Sequence, residues 1–342
     1  MMTNASKTGR STGRATLADV AHLAQVSPMT ASRALRNSPT VDADMLERVR
    51  AAANKLGYVP DPAARALASQ RSTHVAVLIP SLTNRLFVEL MEAAQDALRN
   101  GGYQTLIGIT HYDPLQEEQL IREQLLHRPA GLLLTGLEQS KAARALIKLS
   151  NTPYVSMMET SVQEGEFSVG FSQIEASAAM TRYLLMKGYK RIAFVAAQLD
   201  ARTLQRLRGW RRTMIEFNQH DARLEWLAEE PSSVELGAHI FEKIVKAAPQ
   251  ADAIFFCNDD LAHGALLCAL RLKIQVPDQV AIVGFNDLPE SAVMVPPLTT
   301  VRTPRAQVGL ESARSLLELM NKRMPEIAHL DLGFELIERE SA

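Results

Sequence analysis

Thr16-Leu-Ala-Asp-Val-Ala21, followed by Val26-Ser-Pro-Met-Thr-Ala-Ser-Arg-Ala-Leu35, is the stretch whose reading decides how the chain begins. Thr16 with Asp19 three residues on has the form of a capping box, in which a hydroxyl and a carboxylate satisfy free N–H groups at a helix start. Leu17, Val20, Ala21 and Ala24 then recur at helical spacing and make one apolar face. The pattern breaks at Gln25-Val26. Ser27 can cap a second helix with Pro28 at its first position, where a missing N–H costs nothing. Ala31, Ala34 and Leu35 form its buried side. Two short helices across a tight turn make a helix-turn-helix. Working outward, Asp42 is expected to cap a third helix with the apolar face Met45, Val49, Ala52, Ala53 and Leu56, ended by Gly57.

The exposed start of the second helix is the expected reader of DNA. It offers Pro28, Met29 and Thr30, with Ser32, Arg33 and Arg36 further along. Arginine reaches guanine or phosphate, and hydroxyls suit backbone or base contacts. Thr16, Ser27 and Tyr58 join the expected contact set. The competing reading is a structural three-helix unit with solvated arginines, because such patterns recur in proteins that bind no DNA. Charge favours the first reading. Residues 1–72 carry ten lysines and arginines against five acids, a net of +5 in a chain whose formal charge is -1, so the remainder is acidic. A basic head on an acidic body suits a head that meets a polyanion.

Tyr58-Val-Pro-Asp-Pro62 is forced out of helix by its prolines. The alanine-rich run that follows, to Ala68, is too short to be a stable helix alone. Taken together, Thr16–Leu35 and Leu56-Gly-Tyr-Val-Pro-Asp-Pro-Ala-Ala-Arg-Ala-Leu-Ala68 resemble the head and hinge of the LacI family of bacterial repressors. The resemblance implies a hinge helix over residues 62–69. Leu67 would be an apolar wedge in the minor groove and Arg65 would lie near phosphates; such a wedge kinks DNA and enlarges the interface.

From His74 onward, short apolar runs alternate with amphipathic stretches. Strands are expected at 74–79, 104–109, 131–134, 154–157, 191–196, 253–257 and 280–285, separated by helices. Repeated βαβ order implies doubly wound sheets with right-handed crossovers. Two such sets imply two lobes, with a ligand outside the carboxyl ends of the strands. The expected fold is therefore an N-terminal helix-turn-helix head with a hinge helix, then a two-lobed periplasmic-binding-protein-like α/β sensor. The expected divisions are a basic, disordered tail over 1–15, a DNA-binding domain over 16–60, hinge helix and linker over 61–72, and an effector-binding domain over 73–342. Pro296 to Pro304 resembles the family's crossover between lobes, and Leu330–Glu340 is expected to add an edge strand.

The segments after strands carry the polar groups. Ser81, Thr83, Asn84 and Arg85 leave the first strand with Phe87 as an apolar wall, and Arg202 and Arg206 precede Gly209-Trp210 in the second lobe. His111 and Glu159, placed by following strands, complete the expected cleft set together with Phe171. The resemblance implies that Arg206 faces the effector and that Asn258 and Asn286 hydrogen-bond it; the family often has an aspartate where Asn286 stands. Arginine forks onto a carboxylate, and asparagine both donates to and accepts from hydroxyls. These residues, and Pro-Ser-Leu-Thr-Asn84, Leu-Asp-Ala-Arg-Thr203 and Cys-Asn-Asp-Asp-Leu-Ala262, resemble the gluconate and ketogluconate branch. The expected effector is a sugar acid, gluconate or a ketogluconate. Another sugar or a sugar phosphate is the alternative.

An enzyme finds no support: the chain has no phosphate-binding glycine loop, no H-E-x-x-H and no G-x-S-x-G. No cofactor is expected. No metal is expected either, since Asp259, Asp260 and His263 read better as acids at a helix start. Two cysteines make no disulfide framework. A sugar-binding transport protein would need a secretion signal and no basic head. No run is apolar enough for a membrane span, and the polar start lacks a signal core, so a cytoplasmic protein is expected. The expected assembly is a homodimer, with a tetramer as the alternative, on a palindromic operator.

Overall fold

The computed structural model describes residues 15–35, 41–59 and 72–342. The chain divides into two units between Ser72 and Thr73. Arg36, Arg65, Leu67 and the expected tail and hinge helix lie outside the described residues.

In the first unit, α1 (Leu17–Leu23), α2 (Pro28–Leu35) and α3 (Ala43–Leu56) enclose a core of Val20, Ala21, Ala24, Ala31, Ala34, Val49, Ala52 and Ala53. The Thr16–Asp19 capping box is formed, with both reciprocal bonds present. Ser27 accepts from the Thr30 N–H at 3.1 Å. Two expectations fail locally. Asp42 stands at the start of α3 but makes no side-chain cap bond. Leu46, not Met45, packs against the core, one residue round the helix. Gly57 ends α3 at φ 59, a left-handed conformation that costs glycine little.

The second unit has two lobes. In the amino-terminal lobe a six-stranded parallel sheet has the order β11-β5-β4-β3-β1-β2, built from β1 (His74–Ile79), β2 (Gln104–Ile109), β3 (Gly131–Thr135), β4 (Tyr154–Met157), β5 (Ser168–Gly170) and β11 (His329–Asp331). Helices α4 (Leu86–Asn100), α5 (Pro114–Leu126), α6 (Lys141–Ser150) and α11 (Arg305–Met320) belong with it, and α4 packs along α11. In the other lobe a four-stranded parallel sheet, β7-β6-β8-β9, comprises β6 (Ile192–Ala197), β7 (Glu225–Ala228), β8 (Ala253–Phe256) and β9 (Ala281–Val283). Its helices are α7 (Gln173–Met186), α8 (Ala201–Glu216), α9 (Val234–Ala247) and α10 (Asp259–Leu272). β1, β3, β6 and β8 are buried almost throughout, as strands covered on both faces must be.

The chain crosses between lobes after β5, after β9 and after β11. β10 (Thr300–Arg302) pairs antiparallel with β12 (Glu335–Ile337). The expected single edge strand over Leu330–Glu340 is therefore two short strands in different sheets. Gly333 at φ 67 turns the chain between them. β5 and β7 were not foreseen; each is three or four residues long, too short for a periodicity.

Candidate functional site

Parallel strands deliver the chain to one end of each sheet, and the helices that follow present side chains to the cleft between the lobes. The central element is α8. Asp200 caps it by accepting from the Thr203 N–H at 3.0 Å. Gly209 lets it lie against α7, since a Cβ there would overlap the carbonyl oxygen of Ile174. α8 then sets Arg202 and Arg206 one turn apart, 4% and 3% exposed.

Their surroundings differ. Arg202 Nη1 donates to Glu138 Oε1 at 3.4 Å and lies 3.9 Å from Glu159 Oε1, while Nη2 is 3.6 Å from Asp200 Oδ2. Glu138 follows β3 and Glu159 follows β4, so these pairs join the two lobes. Burial opposes the charge on Arg202, and the carboxylates of Asp200, Glu138 and Glu159 outweigh it, holding its pKa above the ordinary arginine value.

Arg206 has neutral partners instead. Its Nε donates to Gln173 Oε1 at 2.8 Å, and its Nη1 to the Cys257 carbonyl at 2.6 Å and to Asn258 Oδ1 at 2.8 Å. The guanidinium lies 3.9 Å over the Phe285 ring, which stacks on Phe171 with centroids 6.4 Å apart. Burial lowers Arg206 to about 10, which leaves it charged at neutral pH.

Asn286 Nδ2 donates to Asn258 Oδ1 at 3.1 Å, while its own Oδ1 is buried without a partner. The Asn286 backbone sits at φ 116, a region that non-glycine residues rarely occupy. It is held there by the bond from its N–H to the Val301 carbonyl at 2.8 Å and by Arg305, which donates to its carbonyl. Arg305 also pairs with Glu89 of α4 at 3.0 Å, tying the cleft floor to the other lobe.

A narrow, partly open space of about 20 Å³ lies there, and its walls include Asn84, Phe87, Tyr112, Arg202, Arg206 and Asn258. Asn84 Oδ1 accepts from the Leu86 N–H, and its Nδ2 lies 3.5 Å from the Tyr112 hydroxyl. Glu159 is buried, with Oε2 accepting from Gln205 at 2.5 Å, while Oε1 makes no hydrogen bond and faces Arg202 only across the 3.9 Å ion pair. Burial raises its pKa. Other expected residues lie elsewhere. Ser81 and Thr83 bond each other through their hydroxyls at 2.9 Å, and neither lines the space. Arg85 forms an ion pair with Glu290 at the surface. His111 is exposed, and its neighbour Tyr112 lines the space instead.

Asp259 and Asp260 are held by hydroxyls. Asp259 is fully buried, and accepts from Thr300 at 2.6 Å, Ser291 at 2.8 Å and the Leu288 N–H at 2.7 Å. Ser291 in turn meets His263 Nε2 at 2.8 Å, and Asp260 accepts from Ser232 at 2.7 Å. Among the described residues no group of His, Cys, Asp or Glu has metal-holding geometry. Nearby, Glu117 of α5 accepts from Gln139 at 3.4 Å, and burial pushes its carboxyl up to about 7.

Reading the sequence missed Gln173, Tyr112, Glu138, Asp200 and Gln205. Only Asp200 left a signal, a carboxylate two residues before Arg202 at the expected start of a helix. In the head, Pro28, Met29 and Arg33 are exposed on α2, with Met29 at 65%. Ser27 and Thr30 bond each other at 2.8 Å within the cap, and Tyr58 packs against the head core.

A helix-turn-helix unit followed by a two-lobed, periplasmic-binding-protein-like sensor defines a ligand-responsive DNA-binding regulator. Two family models match: bacterial regulatory proteins of the lacI family over residues 16–61, and a periplasmic binding protein-like domain over residues 181–342. The HTH-type transcriptional regulator GntR of Pseudomonas aeruginosa is 49% identical over 340 residues, covering 99% of each chain. GntR of Escherichia coli K12 is 33% identical over 94% of this chain and 97% of its own. Among solved structures, the transcription regulator GntR from Chromobacterium violaceum is 46% identical with a TM-score of 0.77, covering 78% of this chain and 98% of its own. The chain belongs to the LacI family and is a DNA-binding transcriptional repressor, not an enzyme. Among the described residues no helix is long and apolar enough to cross a membrane.

Proposed function

We propose that the protein is a cytoplasmic repressor whose operator binding is released by a sugar acid, gluconate or a ketogluconate, held in the cleft between the lobes. The observation that carries this reading is the buried Arg206, a charged group on the cleft floor among amides that can bond hydroxyls. A ligand carboxylate fits the guanidinium fork, and the open Oδ1 of Asn286 accepts from a sugar hydroxyl. The relatives named GntR, and the regulator IdnR of Escherichia coli K12 at 30% identity over 94% of this chain, support placement in this branch.

The present space of about 20 Å³ holds about one water, so the effector is admitted when the lobes part and Arg202 releases Glu138 or Glu159. In this proposal two heads of a homodimer occupy a palindromic operator through α2, with Pro28, Met29, Ser32, Arg33 and Arg36 at the groove and Thr16, Ser27, Thr30 and Tyr58 supporting. Residues 61–72 are the hinge, with Leu67 the wedge and Arg65 near phosphate. Effector binding shifts the amino-terminal lobes and disorders the hinge, a coupling between two sites through two global states.

The test is fluorescence anisotropy of a labelled operator from the protein's own promoter at fixed salt. Gluconate or a ketogluconate is expected to release the wild-type protein, and Arg206→Ala is expected to hold operator without release. A variant that responds like wild type would remove Arg206 from the effector site.

A further inference from the structure

We infer that Gln173, Asn258 and Asn286 are specificity-determining residues: by setting amides instead of carboxylates around Arg206, Gln173 and Asn258 in direct contact and Asn286 through Asn258, they make the cleft select an anionic sugar acid over the neutral polyol of the same shape. The inference rests on the sugar-acid reading and adds which arginine takes the carboxylate and why.

The argument is one of charge. A buried guanidinium without a counter-ion is costly, and the pocket around Arg202 removes that cost with Asp200, Glu138 and Glu159. Arg202 therefore has little attraction left for a ligand anion, and its pairs to Glu138 and Glu159 make it a clasp between lobes. Around Arg206 the hydrogen-bond acceptors are Gln173 Oε1, the Cys257 carbonyl and Asn258 Oδ1, all uncharged. Its Nη2 makes no hydrogen bond among the described residues, and Arg206 lines the narrow cleft space. A ligand carboxylate there supplies the missing counter-ion and a hydrogen-bond acceptor together.

The amides are fixed in this role. Gln173 is fully buried, and donates through Nε2 to the Met158 carbonyl at 3.1 Å, which leaves Oε1 facing Arg206. Asn258 Oδ1 receives both Arg206 and Asn286. A carboxylate at position 173 would give Arg206 a direct internal counter-ion, and one at 286 would place a negative charge one amide away; either repels the ligand's charge.

Isothermal titration of the full chain with gluconate and with sorbitol, its neutral polyol counterpart, at fixed salt reads the selectivity. Wild type is expected to prefer gluconate by about tenfold or more, the scale of one desolvated charge pair. Asn286→Asp and Gln173→Glu are each expected to bring that preference close to one, mostly by weakening gluconate. Asn286→Ser, which is neutral, is expected to keep the preference whatever it does to affinity. It serves alongside the melting temperature as the control for a damaged fold. If folded Asn286→Asp and Gln173→Glu keep the wild-type preference, the inference is overturned and the sugar-acid reading stands. Wild-type protein that binds sorbitol as well as gluconate overturns both, as does wild-type protein that binds neither of them nor a ketogluconate titrated in the same way.

Discussion

The head and the sensor hold themselves together by different means. Among the described residues the head core has eight buried side chains, six of them alanine and two valine. The sensor core contains Trp210, Phe194, Phe241, Phe255, Phe256 and Phe285, all essentially without exposure. Small side chains let short helices approach closely but remove little apolar surface from water, and stability follows that surface. The head must therefore rely on local devices such as caps, whereas the sensor is held by bulk packing. This division suits the function: a reading head of marginal stability is easily biased by its surroundings, and a rigid sensor can hold charged groups in unfavourable burial.

Calorimetry of the full chain, with operator binding as the readout for the head, can break this comparison. The largest expected effect is Trp210→Ala. Trp210 packs 5.8 Å from Phe194 and 5.6 Å from His220, centroid to centroid. Its removal is expected to cost about 3–5 kcal/mol in the sensor transition alone. A parallel loss of head stability would show that the two units melt as one.

Next comes Glu117, whose carboxyl burial raises from 4.5 to about 7. The folded state binds this proton more tightly than the unfolded chain does. Its stabilising effect is thus complete below about 4.5 and is lost as pH rises through about 7, by up to about 3 kcal/mol. Gln139, Glu138 and Arg202 are the polar and charged groups that act on it, and Glu159 and Asp260 titrate in the same sense. The difference between wild type and Glu117→Gln across pH 4.5 to 7 isolates the effect; parallel curves would show that Glu117 ionises normally.

The smallest effect tests the head. Thr16→Ala removes the capping box and is expected to lower head stability by about 1 kcal/mol, leaving the sensor transition in place. An unchanged head would mean that its caps contribute little and the comparison needs another basis.

Much of the fold was legible because each long element carried its own signal. The capping box at Thr16 and the apolar runs of β1, β3, β6 and β8 lie where local chemistry put them. The short strands β5 and β7 gave no signal, and the single edge strand expected near the end of the chain split between two sheets. Asp42 has a capping side chain yet makes no cap bond.

In the cleft, strand-end position found Asn84, Phe87 and Arg202, and the family resemblance pointed to Arg206 and Asn258; all five line one space. The same rule also drew in Ser81, Thr83 and His111, which do not, because it fixes which end of a sheet a residue occupies but not which way its side chain turns.

By itself, then, the sequence determined the order of units, the two periodicities and the identity of the charged groups, since each depends on neighbours within a turn or two of the chain. Only the tertiary structure decided that Arg202 meets Glu138 and Glu159 while Arg206, one turn away, meets the amides of Gln173 and Asn258. The balance of charge at a buried site is set by groups distant in sequence that folding brings within a few ångströms, and no local pattern records it.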